Sequence, residues 1–393
     1  MFEVINQKKQ EAIIKVIGVG GCGNNAVDYM IEKNVEGVDF ISVNTDLQSL
    51  KKSQANNIVQ IGLNLTKGLG SGARPDSGKQ AAIEDKEKLK EAIQDADMLF
   101  ITAGMGGGTG TGAAPVIAEL AKDLGILTVA VVTKPFSFEG KRNQIAEEGI
   151  KELKNYVDSL IVIPNEKLMN VLGADVTFIN AFSAANEVLY NSVSGISDII
   201  NHTGLINVDF SDVKTVMAEM GSAIIGSGTF EGENRAVKAA QLAINSPLLE
   251  NIQLKNAKGI LVNISASSSF KMKEYVDVMG EVKHITADDA TVIVGNVIDD
   301  EMENKIKVTI VATGLDGDGS EITNELSSSS NEEDNTVNND DFYSSGPEIR
   351  KSNNIEEAVP SVFFDGNEES FNSMDAGLAE DEYDVPSFLR RKK

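Results

Sequence analysis

A chain of 393 residues, 41% apolar and 24% charged, carries enough material for two ordinary domains around a substantial core. One cysteine, Cys22, and two histidines, His202 and His284, exclude an internal disulfide framework and a zinc site of the usual ligand set, and leave few bases for a Ser-His-Asp machine. A formal net charge of −25 argues against nonspecific binding to nucleic acid. No run reaches the roughly 18 uninterrupted apolar residues of a membrane helix, and MFEVINQKKQ lacks the apolar middle of a secretion signal. With a lone thiol, these features lead to the expectation of a cytoplasmic protein.

In chain order, AIIKVIGV from Ala12 to Val19 reads as a buried, β-branched strand, followed at once by glycines and then by the helical run AVDYMIEKN. VDFISVNTD is a second strand ending in polar residues. IEDKEKLKEAIQDAD is a charged helix, and MLFITAGMGGGTGTG a strand running into a glycine loop. PVIAELAKDLG is helical, ILTVAVVTKPF a strand, the region of Glu147 to Tyr156 a helix, and VDSLIVIPN a strand. Strands alternating with helices predict an α/β fold with a doubly wound parallel sheet. Ligands of such sheets gather at the carboxyl ends of the strands, where each glycine and Asn/Asp cluster falls.

Phe178, Phe182, Ala185, Leu189, Val193, Ile196 and Ile200 recur at three- and four-residue steps, which predicts one long helix with a continuous apolar face. Gly204 stops it soon after. A helix of this length suits a spine between two halves. From about Asp209 to Leu315 the pattern opens with helices and continues with the strands GILVNISA, ATVIVGNVI and IKVTIVATG, an α+β domain expected to have a sheet of its own. The boundaries read from these patterns are 1–177 for a Rossmann-like nucleotide domain, 178–204 for the central helix and 205–315 for the smaller α+β domain.

Beyond Leu315 the composition changes. Residues 317–393 hold 19 acidic and 6 basic residues and little apolar content, so 316–379 is expected to be a disordered acidic linker. DEYDVPSFLRRKK differs: Tyr383, Val385, Phe388 and Leu389 precede four cations, the pattern of a short recognition segment (380–393) on a tether, with an ordinary frayed terminus as the alternative.

Two loops carry the chemistry. Gly18-Val19-Gly20-Gly21-Cys22-Gly23 satisfies G-x-G-x-x-G between a strand and a helix, where glycine lets backbone N–H groups approach phosphate and the helix start favours its charge. A tight strand-to-helix turn would use the same glycines. In the second loop, residues 106–112 are five glycines and two threonines, a nest of backbone and hydroxyl donors for which a purely structural reason is hard to find. Two such loops at one sheet edge point to a di- or triphosphate gripped from both sides. A third loop, Gly68-Leu69-Gly70-Ser71-Gly72-Ala73-Arg74, follows Asn44-Thr45-Asp46. No G-x-x-x-x-G-K-[ST] is present, so the chain is not a P-loop NTPase.

These blocks together resemble the tubulin/FtsZ family of GTPases. The resemblance covers GVGGCGNNAV, VNTD, GLGSGARP, GGGTGTGAAPVIAE, VVTKPFSFEGKR, IPNEKL, AFSAANEVL, GLINVDFSDVKTVMAEMG and DVPSFLRR, in that order, and GGGTGTG is the family's signature loop. It implies a GTP-hydrolysing, self-polymerising cytoskeletal protein of the bacterial division septum, located in the cytoplasm at mid-cell beneath the inner membrane. It implies GTP or GDP with Mg²⁺ as ligands, head-to-tail protofilaments, and membrane-tethering and regulatory division proteins as partners of residues 381–393, without direct membrane insertion.

Carried over residue by residue, Gly21, Cys22, Gly23, Asn24 and Asn25 would hold phosphates and ribose, and Gly107, Gly108, Thr109 and Gly110 the α- and β-phosphates. Asn44, Asp46, Gly70, Ser71, Gly72 and Ala73 would lie near the γ-phosphate and its Mg²⁺, with Asp46 nearest the metal. Thr133 and Pro135 would line the nucleotide, Glu139 and Arg142 would contact the ribose, Asn165 and Asn186 would read guanine, and Phe182 would stack on it. Phe182 and Asn186, four apart, share a helix face. Three positions depart from the family pattern: Cys22 replaces a glycine and brings a modifiable thiol near a helix start, Arg74 replaces Asn and adds charge beside the γ-phosphate loop, and the basic stretch after Glu139 is one residue short.

Asn207, Asp209 and Asp212, in NVDFSD, would complete the GTPase site of the next subunit, a carboxylate there orienting the attacking water. Read from the residues alone, Asp209 is an N-cap for SDVKTVMAEM with Asp212 three residues on, and both roles can coexist. Two other functions stay open at this stage. An NAD-dependent oxidoreductase fits the first loop but leaves the second and NVDFSD unexplained; a non-polymerising GTP-dependent adaptor would use DVPSFLRR alone.

Overall fold

The β-branched runs of the first half pair into one parallel sheet. Its strands are β1 (Ile14–Val19), β2 (Val38–Asn44), β3 (Asn57–Gln60), β4 (Met98–Gly104), β5 (Leu127–Lys134) and β6 (Ser159–Pro164), in the order β3-β2-β1-β4-β5-β6. The computed structural model describes residues 12–315 except 173–175, 202–207, 220, 247, 250–253 and 288–289. His202, Gly204, Asn207, the acidic stretch 316–379 and the terminal peptide 380–393 lie outside the described residues.

Every residue of β1 is buried, because helices cover both faces of the sheet. Ile14 and Val16 face a core shared with α1 (Gly20–Glu32) and α9 (Phe178–Asn201). Ile17 and Val19 face the other core, with α4 (Pro75–Glu84), α5 (Lys86–Ile93), α6 (Thr109–Asp123) and α7 (Arg142–Lys154). Three short helices, α2 (Leu47–Leu50), α3 (Leu63–Thr66) and α8 (Asn165–Leu172), complete this half. The long helix spans the residues its apolar spacing predicts, and Ala185, Leu189, Val193 and Ile196 on that face are buried.

The second half contains α10 (Phe210–Met217), α11 (Arg235–Ile244), α12 (Met272–Ile285) and the strands β7 (Gly221–Glu231), β8 (Gly259–Ala266), β9 (Thr291–Ile298) and β10 (Lys305–Thr313). Their order is β7-β10-β8-β9, with β10 antiparallel to both neighbours and β8 parallel to β9. These strands are not a wholly separate sheet. β7 runs beside β6 through the pairs Ser159–Gly221, Leu160–Ser222 and Ile161–Ala223, which continues one strand order across both halves. Arg235 clasps α11 to α12 through two hydrogen bonds to the Glu274 carboxylate, 2.7 and 3.1 Å, and each partner shifts the other's pKa toward the charged form.

One local feature differs from the sequence reading and two strands escape it. The charged stretch after residue 82 is two helices, broken at Asp85 (φ −108°, ψ 29°), whose carboxylate accepts from the Gly62 amide at 2.7 Å. β7 is not among the strands read from the sequence: its Gly226 and Gly228 are strand residues against which the backbone of α11 packs at Ala243 and Ala239, closer than any side chain would allow. β3 is a four-residue edge strand whose first two residues are exposed, too short for a periodic signal.

Candidate functional site

From β1 the chain winds outward through β2 to β3, and from β4 it winds the other way through β5 to β6. β1 and β4 are neighbours, so the loops leaving their carboxyl ends face each other at the switch point, where an open α/β sheet has a crevice. Those are the two glycine loops. α1 begins at Gly20 directly after β1, and α6 begins at Thr109 after residues 105–108, so two helix N-termini converge on one place.

The glycines there divide into two kinds. Some are needed because backbone meets backbone: a methyl group on Gly110 would lie 2.8 Å from the Gly104 carbonyl oxygen and 3.2 Å from that of Val19, and one on Gly20 would lie 2.9 Å from the Gly110 amide. On Gly104 it would meet Cys22 Cβ at 2.6 Å, and on Gly108 it would run into Ser71. Gly21, Gly72 and Gly107 are different, since nothing lies within 4 Å of a methyl group placed there. These three border open space at the mouths of the loops.

Buried hydroxyls stitch the rim. Thr109 Oγ1 shares hydrogen bonds with Thr45 Oγ1 (2.7 Å) and Ser71 Oγ (3.0 Å), which joins the start of α6, the end of β2 and the third loop. Asp46 pairs by backbone with Leu69, and the Gly70 amide donates to the Thr45 carbonyl at 3.3 Å, holding that loop in place. The Gly106 amide donates to Thr111 Oγ1 at 2.9 Å, so this second threonine shapes the signature loop from inside. Asp46 caps α2, its Oδ1 accepting from Gln48 N (2.8 Å) and Ser49 N (3.4 Å), and Asn44 Oδ1 accepts from Asp46 N at 3.2 Å.

Asn24 is buried, and three carbonyls surround its amide. The nitrogen turned toward them reaches Gly18 O (2.9 Å), Gly20 O (3.0 Å) and Val43 O (3.2 Å), so it ties the first loop to β2. Asn25, on the next position, is exposed. The Cys22 sulfur lies 3.7 Å from Thr133 Oγ1. Burial pushes its thiol pKa up, the Thr133 contact opposes that, and the Glu139 charge adds to it. Burial thus works against the thiolate that a helix start would favour.

A second group of predicted residues collects around the end of β5. Pro135 lies against Gly106, and the buried Phe136 stacks on Phe138 (5.1 Å between centroids) and meets Phe182 of α9 edge-on at 5.5 Å. Glu139 accepts from Phe136 N at 3.0 Å and from Arg142 Nη1 at 3.1 Å, so these two residues are paired as well as adjacent. Asn186 follows Phe182 by one turn on α9. Asn165 opens α8 and is buried, yet its Oδ1 has no hydrogen-bond partner. An orphaned acceptor of this kind costs on the order of 1–3 kcal/mol unless a ligand's donor or a water meets it.

A family model described as the tubulin/FtsZ family GTPase domain matches residues 13–173, and a second, described as the FtsZ family C-terminal domain, matches residues 221–316. The chain belongs to the tubulin/FtsZ family. Its glycine crevice therefore lies within the family's GTPase domain, and the protein is a GTPase. The chain is 57% identical over 316 residues to a cell division protein FtsZ of Pseudomonas aeruginosa, covering 80% of each chain. It is 48% identical to one of Buchnera aphidicola over 394 residues, covering 100% of both. It also resembles a solved, empty FtsZ dimer of M. jannaschii: 44% identity, TM-score 0.75, 79% of this chain and 90% of that one.

Asp209 and Asp212 lie elsewhere. Asp209 Oδ1 accepts from Asp212 N at 2.9 Å and caps α10, while the Asp212 carboxylate is exposed and has no partner among the described residues. α9 carries the chain away from the nucleotide loops. Phe182 near its start touches Phe136 at the carboxyl end of β5, and Asn201 at its end donates to the Gly37 carbonyl, just before β2 begins. Val208 and Ile199 both pack at Gly295, and the Met217 carbonyl accepts from Ser159 at the amino end of β6. From Phe182 to Ile199 the helix rises about 25 Å. The acidic pair thus sits at the sheet edge opposite the glycine loops.

Sequence reading gives Thr45 no role and counts Thr111 among the hydroxyl donors of the nest, whereas its Oγ1 accepts from the Gly106 amide. Thr45 stands between two residues it did single out, and Thr111 lies inside the signature loop, so the available signal was a hydroxyl among glycines.

Proposed function

We propose that this protein hydrolyses GTP at an interface between two copies stacked head to tail, in filaments that organise the division septum at mid-cell beneath the inner membrane. The observation that carries the reading is the separation just described. A carboxylate at the far sheet edge cannot reach its own chain's crevice, but it meets a second copy's crevice when the copies stack end to end. In that arrangement Asp212, with Asp209 and Asn207, orients and polarises the attacking water, while the loop amides and hydroxyls of residues 107–110 and 70–73 stabilise the transferring phosphoryl group. The FtsZ dimer among the similar structures supports self-association.

Gly21, Cys22, Gly23, Asn24 and Asn25 and the facing loop hold phosphates in this reading, with Asn24 acting through the loop it ties. Thr133, Pro135, Glu139 and Arg142 line the ribose, Phe182 stacks on the base, and Asn165 and Asn186 pair with guanine. The unpartnered Asn165 Oδ1 supports this, because guanine presents N–H donors on its pairing edge. The described residues contain no group of three or more His, Cys, Asp or Glu that could hold a metal. Mg²⁺ needs no such group, because it binds through phosphate oxygens, waters and one or two carboxylates. Asp46 would be that carboxylate, and the ion would neutralise charge on the terminal phosphates. The division into 1–177, 178–204 and 205–315 belongs to the same reading: nucleotide domain, spine, and the domain that activates the next copy.

GTPase rate per molecule, measured against protein concentration with filaments followed by light scattering, tests the proposal. The rate rises steeply at the concentration where assembly begins. A constant rate from far below to far above that point would refute the shared site and favour a non-polymerising adaptor. Guanine nucleotide released from denatured protein is expected, whereas NAD would return the oxidoreductase reading. The terminal peptide, by its apolar anchors and cations, docks membrane-tethering and regulatory division proteins. Removing residues 381–393 leaves turnover and filaments intact and abolishes capture by such a protein in a pull-down; undiminished capture would disprove that role.

A further inference from the structure

The four loops of the crevice, residues 18–25, 44–46, 68–74 and 104–112, contain one cation among them, Arg74. Its root is held firmly. Arg74 is the N-cap residue of α4, its amide donates to Ser71 O at 3.3 Å, and its carbonyl accepts from Ser77 N (3.1 Å) and Gly78 N (3.2 Å). The same amide lies 2.8 Å from where a methyl group on Gly108 would stand, so the residue is rooted against the last turn of the signature loop. Gly72 and Gly107, the two glycines that border open space on this side, flank it.

The Arg74 side chain is exposed and has no partner among the described residues. Three other cations around the crevice are engaged, Lys79 with Glu152 at 2.6 Å, Lys134 with Glu147 at 2.8 Å, and Arg142 with Glu139 at 3.1 Å, while Lys67 and Lys141 are exposed ammonium groups outside the four loops. A guanidinium offers a planar fork of donors that matches phosphate oxygens. Loops that supply only neutral donors elsewhere thus end in one unengaged fork at their outer rim.

We propose that Arg74 is a specificity-determining residue that grips the terminal phosphate of a nucleoside triphosphate and so makes the crevice prefer triphosphate to diphosphate. The proposal rests on the guanine-nucleotide reading of the site. The inner phosphates are served by the amides of the two glycine loops, which both nucleotides use equally. A contact at the rim is made only while the last phosphate is present. It strengthens binding before hydrolysis and vanishes with the phosphate after it, which leaves the diphosphate form more weakly held.

The test uses the full chain, diluted below its assembly concentration, with Mg²⁺. Affinities for GDP and for a non-hydrolysable GTP analogue are measured on the unmodified protein, Arg74→Ala and Arg74→Lys, with a thermal melt of each. Arg74→Ala weakens the analogue about tenfold and leaves GDP within about twofold. Arg74→Lys falls between, since a point charge remains and the fork is lost. Equal weakening of both nucleotides, no change in either, or a change confined to the assembly threshold overturns the proposal, the last outcome placing Arg74 against a neighbouring copy. If the unmodified protein binds neither nucleotide, it is the reading of the crevice that fails. If it binds both and the variants match it, Arg74 alone is wrong.

Discussion

Replacing Asp212 by alanine lowers GTP turnover of assembled protein by about a hundredfold or more, with nucleotide affinity unchanged and at most about 0.3–1 kcal/mol of stability lost with the acid of the first helical turn. The side chain is exposed and unpartnered among the described residues, so its removal takes away no intramolecular contact. Asp209 needs a different substitution. Its Oδ1 accepts from the Asp212 amide at 2.9 Å, and alanine there loses a helix cap worth about 0.5–2 kcal/mol whatever its catalytic role. Asp209→Asn keeps an acceptor for the cap and removes the charge. A fall in turnover without a fall in stability assigns the carboxylate to chemistry; the reverse pattern, for Asp209→Ala alone, assigns it to the helix. Full turnover by Asp212→Ala in light-scattering assemblies would sink the shared-site mechanism. Mixing Asp212→Ala with a copy whose crevice is disabled supplies a sharper check, because each mixed junction with the intact acid over the intact crevice regains activity.

Alanine at Gly21 or Gly107 yields a protein that folds and melts normally but binds guanine nucleotide at least about tenfold more weakly. Both positions border open space, and neither has a left-handed backbone that a side chain would strain. At Gly21, within the first turn of α1, alanine even favours the helix by up to about 1 kcal/mol. The same change at Gly110 or Gly104 acts on folding instead. There a methyl group meets a carbonyl oxygen at 2.8 Å or the Cys22 side chain at 2.6 Å, a conflict of about 1–3 kcal/mol or more in stability. Thermal melts beside nucleotide titrations separate the two classes. Wild-type affinity in both Gly21→Ala and Gly107→Ala would mean that the open space they border is not where the phosphates lie.

Much of the architecture is legible in the amino-acid sequence. Turn chemistry and hydrophobic period act over a few residues, so the strand–glycine–helix junctions at Val19–Gly20 and in residues 104–109 could be read directly, as could the apolar face of α9. That the two loops face each other also followed, because alternating strands and helices force a parallel sheet whose carboxyl ends share an edge. The signature run GGGTGTG carried the family with it. The residues themselves determined these things.

Tertiary structure decided what depends on distance between segments remote in the chain. Glycines that look alike in sequence are packing residues at Gly110 and Gly104 but face open space at Gly21 and Gly107, according to what stands opposite them. β7 hides its strand character because Gly226 and Gly228 answer to α11 rather than to a local period, and the helix break at Asp85 answers to the Gly62 amide. The cap made by Asp209 was visible in its spacing, whereas its distance from the crevice was not. A 24-residue helix sets that separation by crossing the sheet from the carboxyl ends of the strands to their amino ends, and no local pattern in NVDFSD records which edge it lands on.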